Sequence, residues 1–598
     1  MAGVDLSLHR KEKRRAERLL QEEERHRRAL NSQEMTTSTV ILESSDSSSA
    51  GSETNDNDLE YDAGKPSTSR HEPHRKRGRK SVITESMTSA LDRTNLSDRT
   101  AMMIVTETAK SLGHNVTELA LNRQTIRRSR QKHRQNLSFH LKHEFTARVP
   151  LVIHWDGKLL PDVTGQEHVD RLPVIITGAG VSQLLTVARL PSGTGEAQAK
   201  AVCDAVNDWG VQDHVIAMSF DTTSSNTGKL NGACVLIEQT LKKNLLHLAC
   251  HHHMYELVIG AVFSTCLGQS SGPEVPLFKR FQTQWHFLDQ RNYQDASSDE
   301  IVTNSLREVK ESVVSFIRNQ LDTVQPRDDY RELLELTLIF LGETTARGVR
   351  FMMPGAMHQA RWMSKVLYSL KIWMFRSQFH LTPREEKGLR DICIFIVYLY
   401  VKVWITCPKA TSAPATDLQF LKDVVSYEVI HPEISKTATK KFLNHLWYLS
   451  EELVGLALFD EDVDIEVKRA IIQHIKNSKD SEEQPVKKAQ VNPKLIRDQS
   501  LDNFASKKSL NLFRLFGIPI DLLENDVANW SQLPDFQEAK QKMTSLSVVN
   551  DHAEQGVALI EEFSGHLTKD EEQLQFVLQV VQAHRSAYPD ALKRTLQQ

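Results

Sequence analysis

Val149-Pro-Leu-Val-Ile-His-Trp-Asp156 is the stretch that decides the fold class of this chain. It combines β-branched residues with an aromatic one, and such a run is typical of a buried strand. Further strands are predicted at 174–176, 181–190, 215–220 and 245–249, with helices at 196–209, 227–241 and 253–265. The order β-β-β-α-β-α-β-α predicts an α/β core built on a mixed sheet with helices on both faces.

The rest of the chain is predicted to be mainly helical around this core. Residues 148–268 are the first part of the core, 269–436 an all-α insertion, and 437–475 a closing helix that includes a strong helical pattern over 440–458. A polar linker at 476–492 leads to a helical C-terminal region at 493–598. Residues 85–147 are helical, and 1–84 form a disordered arm, because they contain too few large apolar groups to offset the entropy of ordering.

Composition narrows the functional classes. The chain has 598 residues, 40% of them hydrophobic and 25% charged, with a formal net charge of −3. Any basic, nucleic-acid-binding surface must therefore be local. The six cysteines are too few for a disulfide scaffold. The most apolar run, at 392–407, is interrupted by Lys402 and is too short to cross a bilayer, so we expect a buried helix or strand and no membrane partner.

Two local basic segments point to DNA. The cluster at 71–80, His-Glu-Pro-His-Arg-Lys-Arg-Gly-Arg-Lys, is typical of a nuclear-import signal or a DNA-gripping patch, or it is only a solvated charge run. Residues 123–142 carry seven Lys/Arg and no acid at the end of a helix-turn-helix outline, although many three-helix units share that outline. The expected phosphate contacts there are Arg123, Arg127, Arg128, Arg130, Lys132 and Arg134.

Two aspartates follow strands that this topology places side by side. Asp156 ends the first strand and Asp221 the fourth, and neighbouring carboxylates on rigid strands can share hard divalent cations. With a third carboxylate, such a pair forms a two-metal site for phosphodiester chemistry. The alternatives remain open, because Asp156-Gly157 also suits a turn and Asp221-Thr-Thr-Ser also suits a helix cap.

Two further motifs follow these aspartates in the sequence. Cys250-His-His-His253 lies where the fifth strand meets its helix, with no second Cys/His pair at zinc-finger distance. Ala360-Arg-Trp-Met-Ser364 lies in the helical insertion, where Arg361 and Trp362 form either a core pair or a platform for an unpaired base.

Together these motifs resemble the hAT superfamily of DNA transposases. Asp156 matches the first family aspartate, and Phe220-Asp-Thr-Thr-Ser-Ser-Asn226 is similar to the segment of the second, with Asp221 as ligand and Asn226 as companion. Cys250 and His253 match the C-x-x-H element, and Arg361 and Trp362 match the T-R-W-x-S element. Ser450-Glu-Glu-Leu-Val-Gly-Leu-Ala457 resembles the segment of the last glutamate, which aligns Glu451, with Glu452 as the close alternative.

The resemblance implies a ribonuclease-H-like (DDE) fold and metal-dependent DNA cleavage and strand transfer. It implies that Asp156, Asp221 and Glu451 hold Mg²⁺ or Mn²⁺, with His253 near the scissile phosphate and Trp362 stacked on a displaced base. The expected partners are double-stranded DNA, as transposon ends and target, and further copies of the chain in the nucleus, with no nucleotide cofactor. The chain departs from the family in having Glu452 at the position of an arginine and no N-terminal cysteines for a zinc finger. The alternative function is therefore a domesticated nuclear DNA-binding protein that keeps the fold without the reaction.

Overall fold

The computed structural model of the chain describes residues 79–269, 274–355, 363–479 and 484–589. The predicted arm at 1–84 and its basic cluster at 71–80 lie outside these residues, apart from their last few positions. The described part is a mixed α/β structure, as predicted. Its six strands are β1 Leu151–Trp155, β2 Lys158–Pro161, β3 His168–Gly178, β4 Val181–Leu190, β5 Val215–Phe220 and β6 Leu246–Ala249.

The α-helices fall into four groups along the chain. The N-terminal group is α1 Glu85–Arg93, α2 Asp98–Ser111 and α3 Arg123–Glu144. The strands are accompanied by α4 Gly195–Asp208, α5 Ser224–Thr227, α6 Ala233–Leu241 and α7 His251–Leu267. The insertion contains α8 Pro276–Gln284, α9 Glu300–Leu306, α10 Lys310–Leu321, α11 Asp328–Phe340, α12 Ser364–Met374, α13 Pro383–Phe395, α14 Val401–Thr406, α15 Ala413–Ser426 and α16 Pro432–Phe442. The C-terminal group is α17 Ile465–Asn477, α18 Leu510–Leu515, α19 Pro534–Thr544, α20 Asp551–Phe563 and α21 Glu571–Ala587.

Short 3₁₀ segments connect many of these helices. They span Val116–Glu118, Trp285–Phe287, Ala296–Ser298, Tyr427–Val429, Leu443–His445, Leu453–Phe459, Pro493–Asp498, Leu501–Phe504, Lys507–Ser509, Ile520–Glu524 and Val527–Gln532. A π-helical turn at Ile396–Tyr400 joins α13 to α14. The apolar run at 392–407 is therefore a buried helix and not a strand. Within the described residues, no helix combines the length and the apolar content needed to cross a membrane.

The sheet is mixed, and its pairing places the ends of β1 and β5 together. β1 pairs antiparallel with β3 and parallel with β5, and β5 pairs parallel with β6. The same residues of β3 pair with β1 and with β4, so β4 lies on the opposite edge of β3. β2 continues the line of β1 along β3 after a break at Asp156-Gly157. The strand order is thus β4-β3-β1-β5-β6, with β2 extending β1.

All the predicted strands are present, and β2 is the one that sequence patterning missed. Its four residues bury only Leu160 and end in Pro161, so they carry too little periodic signal. The single helix predicted over 440–458 is wrong. The chain there leaves α16 and passes through turns and the 3₁₀ segment Leu453–Phe459, in which every residue is buried. A run that is apolar on all sides fits buried irregular structure as well as it fits a helix, and periodicity alone does not separate the two.

Both faces of the sheet are covered by helices. On β3, Val174 and Ile176 belong to the large core that contains Val202 and Val206 of α4. Ile175, between them, points to the other face and packs in a second cluster, whose helical members come from α20 and α21: Val557, Leu559, Ile560, Phe563, Leu574, Val577, Leu578 and Val581. The C-terminal helices are therefore part of the core, and the alternation along β3 explains how.

Candidate active site

The two predicted aspartates are neighbours at one end of the sheet. In the parallel register of β1 and β5, Ile153 lies beside Met218 and His154 beside Ser219. Each strand ends one or two residues later, so Asp156 and Asp221 both follow the carboxyl ends of adjacent parallel strands. Both side chains are half-buried. Because the strands are fixed by the sheet, this pair of carboxylates is held on rigid supports.

A hydrogen-bond network orients Asp221. Its Oδ1 accepts from Thr223 N at 3.2 Å, Thr223 Oγ1 at 2.7 Å and Asn226 Nδ2 at 2.5 Å. Asn226 is buried, and its Oδ1 accepts from Nε1 of Trp155, the last residue of β1, at 2.9 Å. Among the described residues, all hydrogen bonds to the Asp221 carboxylate go to Oδ1. Asn226 therefore ties the ends of the two strands together and leaves Oδ2 for another partner.

A third carboxylate, which sequence analysis missed, comes from the C-terminal region. Glu554 is in the first turn of α20, and the segment that precedes this helix is fastened to the same end of the sheet. Asn550 Nδ2 donates to Trp155 O at 2.8 Å, and Asn550 N donates to Cys250 Sγ at 3.3 Å. These contacts place the start of α20 beside the ends of β1 and β6.

Close packing at one glycine holds α20 against the sheet. A Cβ added at Gly556 would lie 2.7 Å from Pro173 Cβ and 3.2 Å from Ile175 Cδ1. Pro173 Cβ belongs to a rigid ring fixed on β3, so this shorter contact could not be relieved by a side-chain movement. A glycine at this position therefore lets the helix axis approach the sheet, one half-turn after Glu554.

Asp221 and Glu554 both contribute to the raised pKa of Asp156. Burial raises the pKa of Asp156 to about 8, and repulsion from Asp221 and then from Glu554 adds to that rise, while Lys158 lowers it. A carboxyl group with this pKa is mostly protonated at neutral pH. Such a rise is typical of carboxylates that share a site, where they cannot all ionise unless a cation compensates them.

Glu554 is held by an arginine from the insertion. Arg327, which precedes α11, donates from Nη1 to Glu554 Oε2 at 2.5 Å and also pairs with Asp329. Within the described residues, no group of three His, Cys, Asp or Glu side chains is arranged closely enough to hold a metal ion. The carboxylates are thus near enough to repel one another, with Glu554 bound to a guanidinium.

The structure places the predicted glutamates elsewhere. Glu451 Oε2 lies 3.3 Å from Lys508 Nζ and accepts from Val486 N at 3.2 Å. Glu452 is buried and pairs with Lys487 Nζ at 2.9 Å. Neither is among the charged groups that shift the pKa of Asp156. A metal-binding role for Glu451 or Glu452 stays a prediction, and Glu554 is the glutamate that acts on Asp156.

In the motif Cys250-His-His-His253, Cys250 and His251 make buried packing contacts, whereas His253 lies near Asp221. The buried thiol of Cys250 accepts backbone N–H groups of His253 and Asn550, so it joins α7 to the segment before α20. His251 is also buried, 3.1 Å from Asp417. His253 is half-buried, and burial lowers its pKa while nearby Asp221 raises it. His253 is thus the histidine of this motif whose pKa is affected by the charge of Asp221.

The predicted DNA contacts on α3 face in two directions. Arg130 and Arg134 are buried and share the buried carboxylate of Asp92, at 2.6 and 2.7 Å. They therefore hold α1 against α3, and the prediction that they contact DNA is not compatible with this position. The other four side chains are exposed, and DNA contact stays a prediction for them: Arg123, Arg127, Arg128 and Lys132. Arg361 and Trp362 lie outside the described residues.

A polar cavity of about 150 Å³ opens beside Asp221. Its walls include Thr223, which precedes α5, Ser225 and Asn226 within α5, and Asp170 from β3. Space next to the free oxygen of Asp221 is what a hydrated ion or a substrate group would need.

The chain matches no family model and no curated protein. Its function must therefore be argued from the site alone.

Proposed function

We propose that this chain is a DNA-cleaving and DNA-joining protein of the hAT transposase type, with a ribonuclease-H-like core. The observation that carries the proposal is that Asp156 and Asp221 follow the carboxyl ends of the adjacent strands β1 and β5, with Glu554 close enough to raise the pKa of Asp156. The strand order, with β3 and β4 antiparallel beside β1 and parallel β5 and β6 on its other side, supports a ribonuclease-H-like core.

The donor atoms of these side chains are of the type that a hard divalent cation prefers, and binding one would require the three side chains to move closer together than they lie here. All three side chains offer carboxylate oxygens, which Mg²⁺ and Mn²⁺ prefer, and their mutual repulsion is the electrostatic condition that a cation relieves. Bound there, such ions would activate a water or 3′-hydroxyl nucleophile and stabilise the leaving oxygen of a phosphodiester. Asp156, Asp221 and Glu554 replace the set with Glu451 that the sequence resemblance implied.

The protein's own residues have separate tasks in this proposal. Asn226 and Thr223 fix the rotamer of Asp221, and Arg327 positions Glu554 from the insertion. His253 is held neutral by burial near Asp221, so it can accept a proton from a nucleophile or return one to a leaving group.

A nicking assay tests the proposal. The full-length protein is incubated with supercoiled plasmid and Mn²⁺, beside Asp221→Asn, Glu554→Gln, Glu451→Gln and Glu562→Gln. Glu562 is a matched control, because it lies on the same helix as Glu554 and pairs with Arg585. We expect Mn²⁺-dependent nicking in wild type, Glu451→Gln and Glu562→Gln, and a loss of at least about 100-fold in the other two.

Metal binding provides a second readout that does not depend on the right DNA ends. Calorimetric titration with Mn²⁺ should show binding in wild type and Glu451→Gln and none in Asp221→Asn or Glu554→Gln. Equal binding in all four proteins would overturn the assignment of the three carboxylates.

A second function, DNA binding without the reaction, is favoured by one specific observation. The ion pair between Arg327 and Glu554 supplies the positive charge that a metal would otherwise supply. A domesticated, non-catalytic protein predicts DNA binding without Mn²⁺ binding or nicking, so the same two assays separate the two functions.

A further inference from the structure

Three lysines from separate segments lie near the end of β5. Lys229 is in the loop between α5 and α6, Lys441 is near the end of α16, and Lys488 is in the linker at 476–492. Lys488 Nζ lies 5.3 Å from the ring centroid of Trp447. The Trp447 ring packs edge-on against Phe220 at 5.9 Å, and Phe220 is directly followed by Asp221. A single aromatic ring, that of Trp447, thus separates Lys488 from Phe220 at the end of β5.

Helix packing brings Lys441 to the same place. α16 runs antiparallel along α7, as two contacts show: Thr437 Oγ1 lies 3.3 Å from Thr265 Oγ1, and Phe442 stacks on Tyr255 at 5.8 Å. The end of α16 therefore lies beside the first turn of α7, which carries His253. Lys441 is close enough to lower the pKa of both His253 and His445.

The charges in this group are not balanced by acids. Among the described residues, Lys229, Lys441 and Lys488 form no ion pair, whereas Lys487 and Lys508 nearby are paired with Glu452 and Glu451. Burial and then repulsion from Lys229 lower the pKa of Lys488. Burial, followed by repulsion from Lys488 and Lys441, lowers the pKa of His445 to about 4. Like charges held together without a counter-charge indicate a place for an anion.

We propose that Lys229, Lys441 and Lys488 bind the phosphate backbone of the DNA strand that reaches Asp221. The inference deepens the proposed function, because it names the surface on which the substrate lies, but it requires only binding and no cleavage. Lysine suits this role as a flexible point charge for phosphate oxygens. Leu230, which follows Lys229 and is 81% exposed, offers an apolar contact for a sugar or base next to the bound phosphate.

The salt dependence of DNA binding tests the proposal. Fluorescence anisotropy with a labelled 30-base-pair duplex is measured between about 50 and 300 mM KCl in EDTA, so that metal binding plays no part. The triple variant Lys229→Gln/Lys441→Gln/Lys488→Gln removes three phosphate contacts, and the slope of log K against log salt should fall by about 2–3. Lys200→Gln is the control, because Lys200 is exposed on α4 and pairs with Asp204. Its slope should equal that of wild type.

Protection of the lysines from acetylation provides a check on the wild-type protein, in case the triple variant does not fold. DNA should protect Lys441 and Lys488 from an N-hydroxysuccinimide ester and leave Lys200 equally reactive. An unchanged slope in a folded triple variant, equal acetylation with and without DNA, or no DNA binding by wild type would overturn the proposal. DNA binding that depends on these lysines, without nicking, would instead support this proposal and contradict the proposed cleavage function.

Discussion

Replacing Asp156 with asparagine should stabilise the metal-free protein, and this is the sharpest consequence of the site's electrostatics. The pKa of Asp156 rises from 3.8 to about 8 in the folded state, mainly through burial and then through repulsion from Asp221. The folded state therefore holds this proton more tightly than the unfolded state. Stability from the protonated carboxyl is complete below pH 3.8 and is lost as the pH rises toward 8.

The size of the effect follows from the pH interval. From 3.8 to pH 7 is about 3.2 pH units, and at about 1.36 kcal/mol per unit this gives a ceiling of about 4 kcal/mol. Asp156 is partly exposed, so water screens it and we expect a gain of about 1–3 kcal/mol for Asp156→Asn at pH 7. The gain should be near zero at pH 4, should grow up to pH 8 and should then level off.

Urea denaturation followed by circular dichroism at pH 4, 5, 6, 7 and 8 measures this difference. Asp213→Asn is the control, since Asp213 is exposed after α4, and its difference from wild type should stay small at every pH. Saturating Mn²⁺ should reverse the order, because about 100-fold excess over Kd stabilises wild type by about 2.7 kcal/mol and the variant by much less. A gain that is absent at pH 8, or that does not change between pH 5 and 8, would refute the coupling of these carboxylates.

Four further substitutions test close packing and charge pairing in the protein. Gly556→Ala should lower the free energy of unfolding by about 1–3 kcal/mol in urea denaturation, because the new Cβ forces α20 from β3. Gly260→Ala, with its nearest contact at 3.8 Å in mid-helix, should instead raise it by up to about 1 kcal/mol. Arg327→Gln should tighten Mn²⁺ binding about fivefold in calorimetry, since Glu554 loses a competing cation. Asp92→Asn should destabilise the protein by about 3–5 kcal/mol in thermal melts, because it leaves two buried guanidinium groups without their carboxylate; a loss below about 1 kcal/mol would contradict that packing.

The two strand-end aspartates could be predicted because local signals sufficed for them. Each follows a short apolar strand, and parallel neighbours place their carboxyl ends at one edge of a sheet. The N-cap of α2 is also a local feature, because Ser97 Oγ accepts from Thr100 N, three residues along the chain, at 3.1 Å.

The third carboxylate could not be found in this way. Glu554 reaches Asp156 because Asn550 binds the end of β1 and Gly556 admits close packing, and neither contact has a local sequence signature. A usable signal was an acidic first turn in the amphipathic helix that starts at Asp551. The segment with Glu451 matched a short motif, but its surroundings provide lysine partners instead of a second carboxylate.

The prediction that Arg130 and Arg134 of α3 contact DNA was wrong for a different reason. Arg130 and Arg134 are one helical turn apart, in line with buried Ile126, so the period already placed them on the inner face. Both guanidinium groups donate to Asp92, which lies opposite them on α1, and the local pattern of α3 does not reveal this partner. A count of positive charges does not distinguish a DNA-binding face from a buried ion-pair network, whereas the periodicity of the same charges does.

The arrangement of charge around the sheet end explains how a nearly neutral chain can be suited to a polyanion. Asp156, Asp221 and Glu554 place carboxyl groups where cations would bind, and Lys441 and Lys488 nearby carry positive charge without an ion-pair partner among the described residues. A strand of DNA would be repelled by the first group and attracted by the second. Cations at the carboxylates would remove the repulsion, so binding and chemistry would become coupled through metal. In the proposed function, this coupling would need the strands, the insertion that supplies Arg327 and the C-terminal helix that supplies Glu554 to be folded together.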